Sequence, residues 1–150
     1  MIANRLNELG IVLPIAVVPA FQYVPVTIHE RLAFVSGQLP RDGESIVTGK
    51  VGAEVDLERA RVASRLCILQ ACACLAQALE SLDRIERILK ITGFVASAPG
   101  FNQQPKVIDA ASELLFDIFG EAGRHARSAI GVAELPRNAA VEIELIVALR

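Results

Sequence analysis

Apolar positions at helical spacing define two long segments of the chain. Between residues 57 and 79 they recur every three or four positions, and Asp56 directly precedes the run, where a helix cap is expected. A second helix is predicted from Pro105 to the residue before Gly120, because its apolar residues follow the spacing i, i+4, i+7 and i+8. These amphipathic segments are expected to cover one face of a sheet.

Alternation and β-branched residues predict the strands of that sheet. The first two, residues 23–27 and 32–36, flank a polar turn and form a hairpin. Later strands are predicted at residues 88–96, 127–133 and 140–149, and Gly93 indicates a close backbone approach. In the last strand Val141, Ile143, Leu145, Val147 and Leu149 lie on one face, and Glu142 and Glu144 lie on the other. The apolar face is expected to pack beneath the helices, and the face with the glutamates is expected to meet another subunit.

The remaining segments are connections. Residues 3–9 are predicted to form a short helix capped near Asn4. Residues 11–20 contain Pro14 and Pro19 and are expected to be an extended connector, and residues 41–51 a surface loop. The length of 150 residues fits a single domain, 1–150, in which residues 1–20 supply the terminal helix and connector.

Composition restricts the partners of the protein. The hydrophobic fraction is 53% and the mean hydropathy is +0.44, so apolar surface is expected to be covered by oligomerisation. The sequence has no run of about 20 apolar residues, so no membrane span is predicted. No secretory signal is evident either, and a cytoplasmic location is therefore expected. The net charge of -2 and the lack of a basic run disfavour nucleic acid as a partner.

Cysteines and histidines give little sign of metal or redox chemistry. Cys67, Cys72 and Cys74 lie within one predicted helix, where small buried residues with free thiols are the expected interpretation. His29 and His125 are too far apart in sequence for a recognisable zinc-ligand spacing. We therefore expect no metal and no cofactor, and a solvated His125 outside the catalytic set.

An arginine that opens a strand, followed by a strand glutamate, forms the main candidate for chemistry. Arg127 can offer its guanidinium fork to a carboxylate ligand, and Glu142 stands near it in the predicted sheet. The alternative is an ion pair from Arg127 to Glu142 or Glu144 across neighbouring strands. The pattern alone favours that alternative.

Three short motifs carry a family resemblance. Residues 127–136 read RSAIGVAELP and residues 141–144 read VEIE, while residues 35–40 read VSGQLP. With the order of helices and strands, these motifs resemble the reactive-intermediate deaminase (RidA/YjgF) family from residue 23 to residue 149. The resemblance implies a chorismate-mutase-like α+β fold, with two long helices on one face of a mixed sheet, and a homotrimer with small-molecule clefts between subunits.

The resemblance also implies roles for individual residues. Arg127 would grip the substrate carboxylate and Glu142 would place a water, while Tyr23, Ser36, Gly37 and Ala129 would line the cleft. Ala129 stands where deaminating members often have a cysteine. The implied reaction is hydrolysis of 2-aminoacrylate-type enamines, through their imines, to 2-keto acids and ammonia. A regulatory trimer that binds a carboxylate without turnover is the alternative, and a ribonuclease ranks third because the chain offers no basic groove.

Overall fold

The computed structural model describes all 150 residues and shows an α+β fold with a mixed sheet. The helices are α1 (Ile2–Glu8), α2 (Leu57–Leu79) and α3 (Gln104–Phe119). The strands of the main sheet are β1 (Val26–His29), β2 (Leu32–Gln38), β5 (Ile85–Ala96), β6 (Ala126–Val132) and β7 (Val141–Leu149), and β3 (Arg41–Asp42) pairs with β4 (Ser45–Ile46) in a separate hairpin. Three short 3-10 helices occupy Leu82–Arg84, Gly120–Gly123 and Pro136–Asn138.

The main sheet has the order β1-β2-β7-β5-β6, so β1 and β6 form its two edges. Only the β5–β6 pair is parallel. That parallel pair requires the long crossover through α3, because parallel neighbours cannot be joined by a tight turn.

Helices α2 and α3 pack on one face of the sheet and enclose the apolar core. The predicted inward row of β7, from Val141 to Leu149, is buried as expected. Gly93 lies beneath α3, where an added Cβ would clash with the side chain of Ile108. The prediction of a close approach at this glycine is therefore confirmed. Helix α2 is long and apolar enough to pass a membrane-span criterion, but 61% of its apolar window is buried, as in the core helix of a globular fold.

Several predicted boundaries shift. The bounds of α2 match the prediction, and the Asp56 side chain accepts a hydrogen bond from the Arg59 N–H at 2.8 Å. The first strand begins at Val26 rather than residue 23. Pro25 has no N–H to donate to β2, and its carbonyl accepts one hydrogen bond, from the Ser36 N–H, so regular pairing starts after it.

The predictions at the N-terminus and in the loop after β2 need correction. Asn4 does not cap α1, because α1 begins at Ile2 and Asn4 lies inside its first turn. The Ile2 N–H instead donates to the side chain of Asp83, in the 3-10 helix that follows α2. The predicted loop of residues 41–51 contains the β3–β4 hairpin and sends Val47 and Val51 into the core.

Candidate functional site

Two pockets on opposite faces of the sheet contain five of the six residues that the sequence singles out. Arg127 pairs in register with Ile91, which pairs with Leu145, so all three side chains point toward the helices. Glu142 pairs with Phe94 and points away from the helices, on what we call the open face. Within one chain, the sheet therefore separates Arg127 from Glu142.

The Glu142 pocket brings together four of the predicted residues. It has a volume of about 160 Å³, and Tyr23, Ser36, Gly37 and Glu142 all line it. Pro19 of the connector and Pro25, just after Tyr23, also line it. The Ser36 hydroxyl donates to the Val24 carbonyl at 2.8 Å, which fixes the chain that carries Tyr23 against β2.

Gly37 leaves room for the side chain of Glu142. A Cβ at residue 37 would overlap the Glu142 carboxylate, so a larger residue would push the end of this side chain away from β2. Burial, together with the neighbouring Glu144 carboxylate, raises the pKa of Glu142 above its ordinary value. A half-buried carboxyl with a raised pKa is suited to exchange protons with a ligand or a water.

The Arg127 pocket is larger, with a volume of about 500 Å³, and opens beside the C-terminal half of α3. Ser112 and Phe116 contribute from the helix, and Arg124, His125 and Arg127 contribute from the chain that leads into β6. The guanidinium of Arg124 lies over the Phe116 ring, 5.4 Å from its centroid, and is paired with Glu121.

Arg127 is bonded through only part of its guanidinium. Its Nη1 donates to Asp109 Oδ1 at 2.8 Å and to Ser112 Oγ at 3.2 Å, whereas Nε and Nη2 have no partner in the chain. The side chain is 24% exposed. The predicted alternative, an ion pair to Glu142 or Glu144, is wrong because β5 lies between β6 and β7 and the two side-chain rows face opposite ways.

Ala129 is half-buried on the helix side of β6, where it contacts the core rather than lining either pocket. Its methyl group offers no polar contact. The predicted pocket-lining role is therefore not seen for this residue within one chain.

The expectation of a solvated His125 is wrong. Its Nδ1 lies 2.6 Å from the Gly123 carbonyl and its Nε2 lies 3.0 Å from Ser112 Oγ. Burial, and then the positive charge of Arg127, lower the pKa of His125, and these effects outweigh the Gly123 hydrogen bond, which raises it. The ring is thus held neutral in the pocket wall.

Sequence reasoning did not identify Asp109 or Ser112 as part of the site. A weak signal was present: His125 and Arg127 are two residues apart and therefore share a side of an extended chain. Their partners on α3 could be identified only once the helix was placed against β6.

The cysteines behave as predicted. All three are free and buried in the core, and burial raises the pKa of Cys72 to about 12. Such thiols stay protonated and unreactive. No group of three His, Cys, Asp or Glu side chains is placed to hold a metal ion.

The fold and pockets define a small α+β protein with polar sites on both faces of one sheet. Residues 3–149 match the model of the family described as "YjgF/chorismate mutase-like, putative endoribonuclease". The chain belongs to this family.

Similar proteins cover almost the whole chain. Protein TCP17 of Trypanosoma cruzi is 43% identical, over 99% of this chain and 94% of its own length. The crystal structure of Atu1372 from Agrobacterium tumefaciens, a protein of unknown function, is 48% identical with a TM-score of 0.92, over 99% of this chain and 92% of that one. The structure of TdcF from Escherichia coli with bound serine is 25% identical with a TM-score of 0.64, over 90% of this chain and 93% of that one.

Proposed function

We propose that this protein hydrolyses reactive enamines and imines of the 2-aminoacrylate type to 2-keto acids and ammonia. The observation that carries the proposal is the half-free guanidinium of Arg127, whose Nε and Nη2 have no partner in the chain and which lines an open pocket. A carboxylate can dock on such a fork in the bidentate geometry that arginine favours. The carboxylate of a 2-imino acid is attached directly to its reacting carbon.

The reaction makes modest demands on the protein. Imines hydrolyse unaided, so binding, orientation of water and stabilisation of charge are sufficient for catalysis. In the proposal Arg127 holds the substrate carboxylate. Glu142 orients the attacking water, and Tyr23, Ser36 and Gly37 shape the space around it.

The complete cleft is proposed to form between two subunits of a homotrimer. Arg127 lies on the β6 edge and the Glu142 pocket lies toward the β1–β2 edge, on the other face. Cyclic assembly places the two unlike edges of neighbouring copies side by side, which brings Arg127 of one chain toward Glu142 of the next. The open face supports assembly because no helix of the chain covers its apolar residues Phe34, Phe94, Ile130 and Ile146.

Two further observations fit this proposal. TdcF, a relative by fold and sequence, has been crystallised with serine, a small molecule that carries a carboxylate. The three buried free thiols are compatible with a reducing compartment, so we propose that the protein acts in the cytoplasm.

The test is a comparison of wild type with Arg127→Ala. With freshly generated 2-aminoacrylate, kcat/KM for ammonia release is expected to fall by about 100-fold or more, because the carboxylate loses its charged partner. Arg59→Ala, which removes an arginine from α2 outside both pockets, serves as the matched control and should behave as wild type. An Arg127→Ala variant as fast as wild type contradicts the assignment.

A trimer that binds small carboxylates without turnover is the second candidate. Asp109 already occupies part of the Arg127 guanidinium, and Ala129 provides no reactive group beside it. Calorimetric binding of pyruvate that depends on Arg127, together with ammonia release no faster than the uncatalysed rate, would favour this candidate over the deaminase.

A further inference from the structure

The hydrogen bonds of His125 define the proton positions in the wall of the Arg127 pocket. The Gly123 carbonyl can only accept, so Nδ1 of His125 carries the proton of the neutral ring. Nε2 is then a free acceptor, and the Ser112 hydroxyl at 3.0 Å donates to it. The backbone carbonyl therefore fixes one tautomer of the imidazole and aims its basic nitrogen at Ser112.

Ser112 connects this basic nitrogen to the anion-binding residue. Its Oγ accepts from Arg127 Nη1 at 3.2 Å while its own proton points to His125. Both Ser112 and His125 line the same open pocket as Arg127. A hydroxyl paired with an oriented base beside an open cavity is the arrangement that proton-transfer catalysis requires.

The position of a bound 2-imino acid follows from its covalent structure. Its carboxyl carbon is bonded to the imine carbon, so a carboxylate held by the free Nε and Nη2 of Arg127 keeps the reacting carbon inside the pocket that Ser112 and His125 also line. Of the two residues that contact Arg127, Asp109 and Ser112, only Ser112 has a hydroxyl proton to transfer. The Ser112 hydroxyl therefore lines the space in which a water would attack the imine.

We propose that Ser112 and His125 form a proton relay for imine hydrolysis in the Arg127 pocket; this inference rests on the proposed function. Water oxygen bonds to the carbon of the protonated imine, and the C=N pair moves to nitrogen. One water proton passes to Ser112 Oγ as the Ser112 proton passes to His125 Nε2, which gives a neutral carbinolamine.

The second half of the reaction returns the proton. His125 reprotonates Ser112, and Ser112 protonates the carbinolamine nitrogen. The C–N bond then breaks as the hydroxyl proton moves to the departing ammonia, so the products are the 2-keto acid and ammonium. The relay ends in its starting state, and no oxidant or other reactant is needed.

The charged groups around His125 permit this cycle. Burial, and to a smaller extent the positive charge of Arg127 from β6, lower the pKa of His125, and Arg124 from the preceding segment lines the same pocket. Each nearby carboxylate forms an ion pair with an arginine and none pairs with the imidazole of His125. The pairs are Asp109 with Arg127, Glu113 with Arg61, and Glu121 with Arg124. His125 is thus an unprotonated base at neutral pH, and it becomes unavailable as the pH falls below its pKa.

The test measures kcat and KM against pH for wild type, His125→Gln and Ser112→Ala. Wild-type kcat is expected to fall at acid pH as His125 takes up a proton. Each variant should lose about 10- to 100-fold in kcat, retain its KM, and lose the part of the acid limb that His125 causes, so that only the fall caused by protonation of Glu142 remains. Ser112→Cys, which keeps a proton-transferring group, should recover part of kcat, and Ser45→Ala in the β3–β4 hairpin is the control.

Different results separate the possible failures. If wild type shows no imine hydrolysis, the proposed function falls and the relay falls with it. If wild type is active but His125→Gln and Ser112→Ala raise KM and keep both kcat and the acid limb, the pair only positions Arg127 and the relay alone is overturned. Nitrogen-15 NMR of wild type should show the Nδ1–H tautomer of His125. Finding the Nε2–H tautomer instead would also overturn the proposed relay.

Discussion

The Arg127 pocket and the Glu142 pocket differ in almost every physical property. The first is open, lies between α3 and an edge strand, and contains two arginines and a neutral histidine. The second is smaller, lies on the open face, and contains a half-buried carboxyl whose pKa is raised. The first offers groups that suit an anion and a proton relay, and the second offers a carboxyl that suits the orientation of a water, so neither pocket alone contains all the groups that the proposed reaction uses.

The difference teaches how one small sheet can support a composite site. Groups of opposite charge placed on the same face would pair and neutralise each other, as the sequence pattern first indicated for Arg127 and Glu142. The sheet keeps them apart in the chain, and association of two copies is what would bring them to a single ligand.

The largest expected effect comes from two glycines that face different neighbours. Gly37→Ala pushes the Glu142 carboxylate out of position, so kcat is expected to fall by about 100-fold while the thermal midpoint stays close to that of wild type. Gly93→Ala forces a methyl group against Ile108 in the core and should destabilise the fold by about 1–3 kcal/mol. Activity assays and thermal unfolding of both variants test these expectations. A Gly37→Ala variant with wild-type kcat would mean that the position of the Glu142 carboxylate does not matter for catalysis.

A smaller effect is expected when the partner of Arg127 is removed. In Asp109→Asn the guanidinium loses its internal counter-charge, so KM for a carboxylate substrate should fall by about 3- to 10-fold. Stability should change by less than about 1 kcal/mol, because the Asp109 side chain is 47% exposed. Glu113→Gln, which affects Arg61 instead, is the control. An increase in KM for Asp109→Asn would mean that Asp109 positions Arg127 rather than competing with the substrate.

The smallest effect concerns the pH dependence of stability. Because the folded-state pKa of Glu142 lies above its unfolded value, the folded state loses stability as the pH rises through that folded pKa. Glu142→Gln removes this loss, so the variant should unfold at a slightly higher temperature than wild type at pH 7. The difference should disappear at about pH 3, where the wild-type carboxyl is protonated in both states. Thermal unfolding of wild type and Glu142→Gln between about pH 3 and pH 7 tests this difference, with Glu44→Gln as the control.

Local signals in the sequence predicted the main elements well. Asp56 and the apolar spacing after it fixed α2, and the alternation from Val141 to Leu149 identified the buried row of β7. The first strand was misplaced because β-branched residues on both sides of Pro25 resemble a strand, although the proline lacks the donor that a paired strand needs.

The site was predicted only in part, because its contacts are distant in sequence. Motifs located Tyr23, Ser36, Gly37 and Glu142, which the fold brings to one pocket. The pairing of Arg127 with Asp109 depends on how α3 lies against β6, and no spacing in the sequence encodes that placement. For the same reason His125 was expected to be solvated.

Mixed trimers test the central claim, a cleft shared between subunits, most directly. Arg127→Ala and Glu142→Gln are each expected to be inactive alone. Co-expressed in equal amounts, they should recover about one quarter of wild-type activity, since about three quarters of cyclic trimers are mixed and each mixed trimer has one intact cleft of three. If the mixture stays as inactive as either variant while mixed trimers are shown to form, Arg127 and Glu142 do not act together across a subunit boundary.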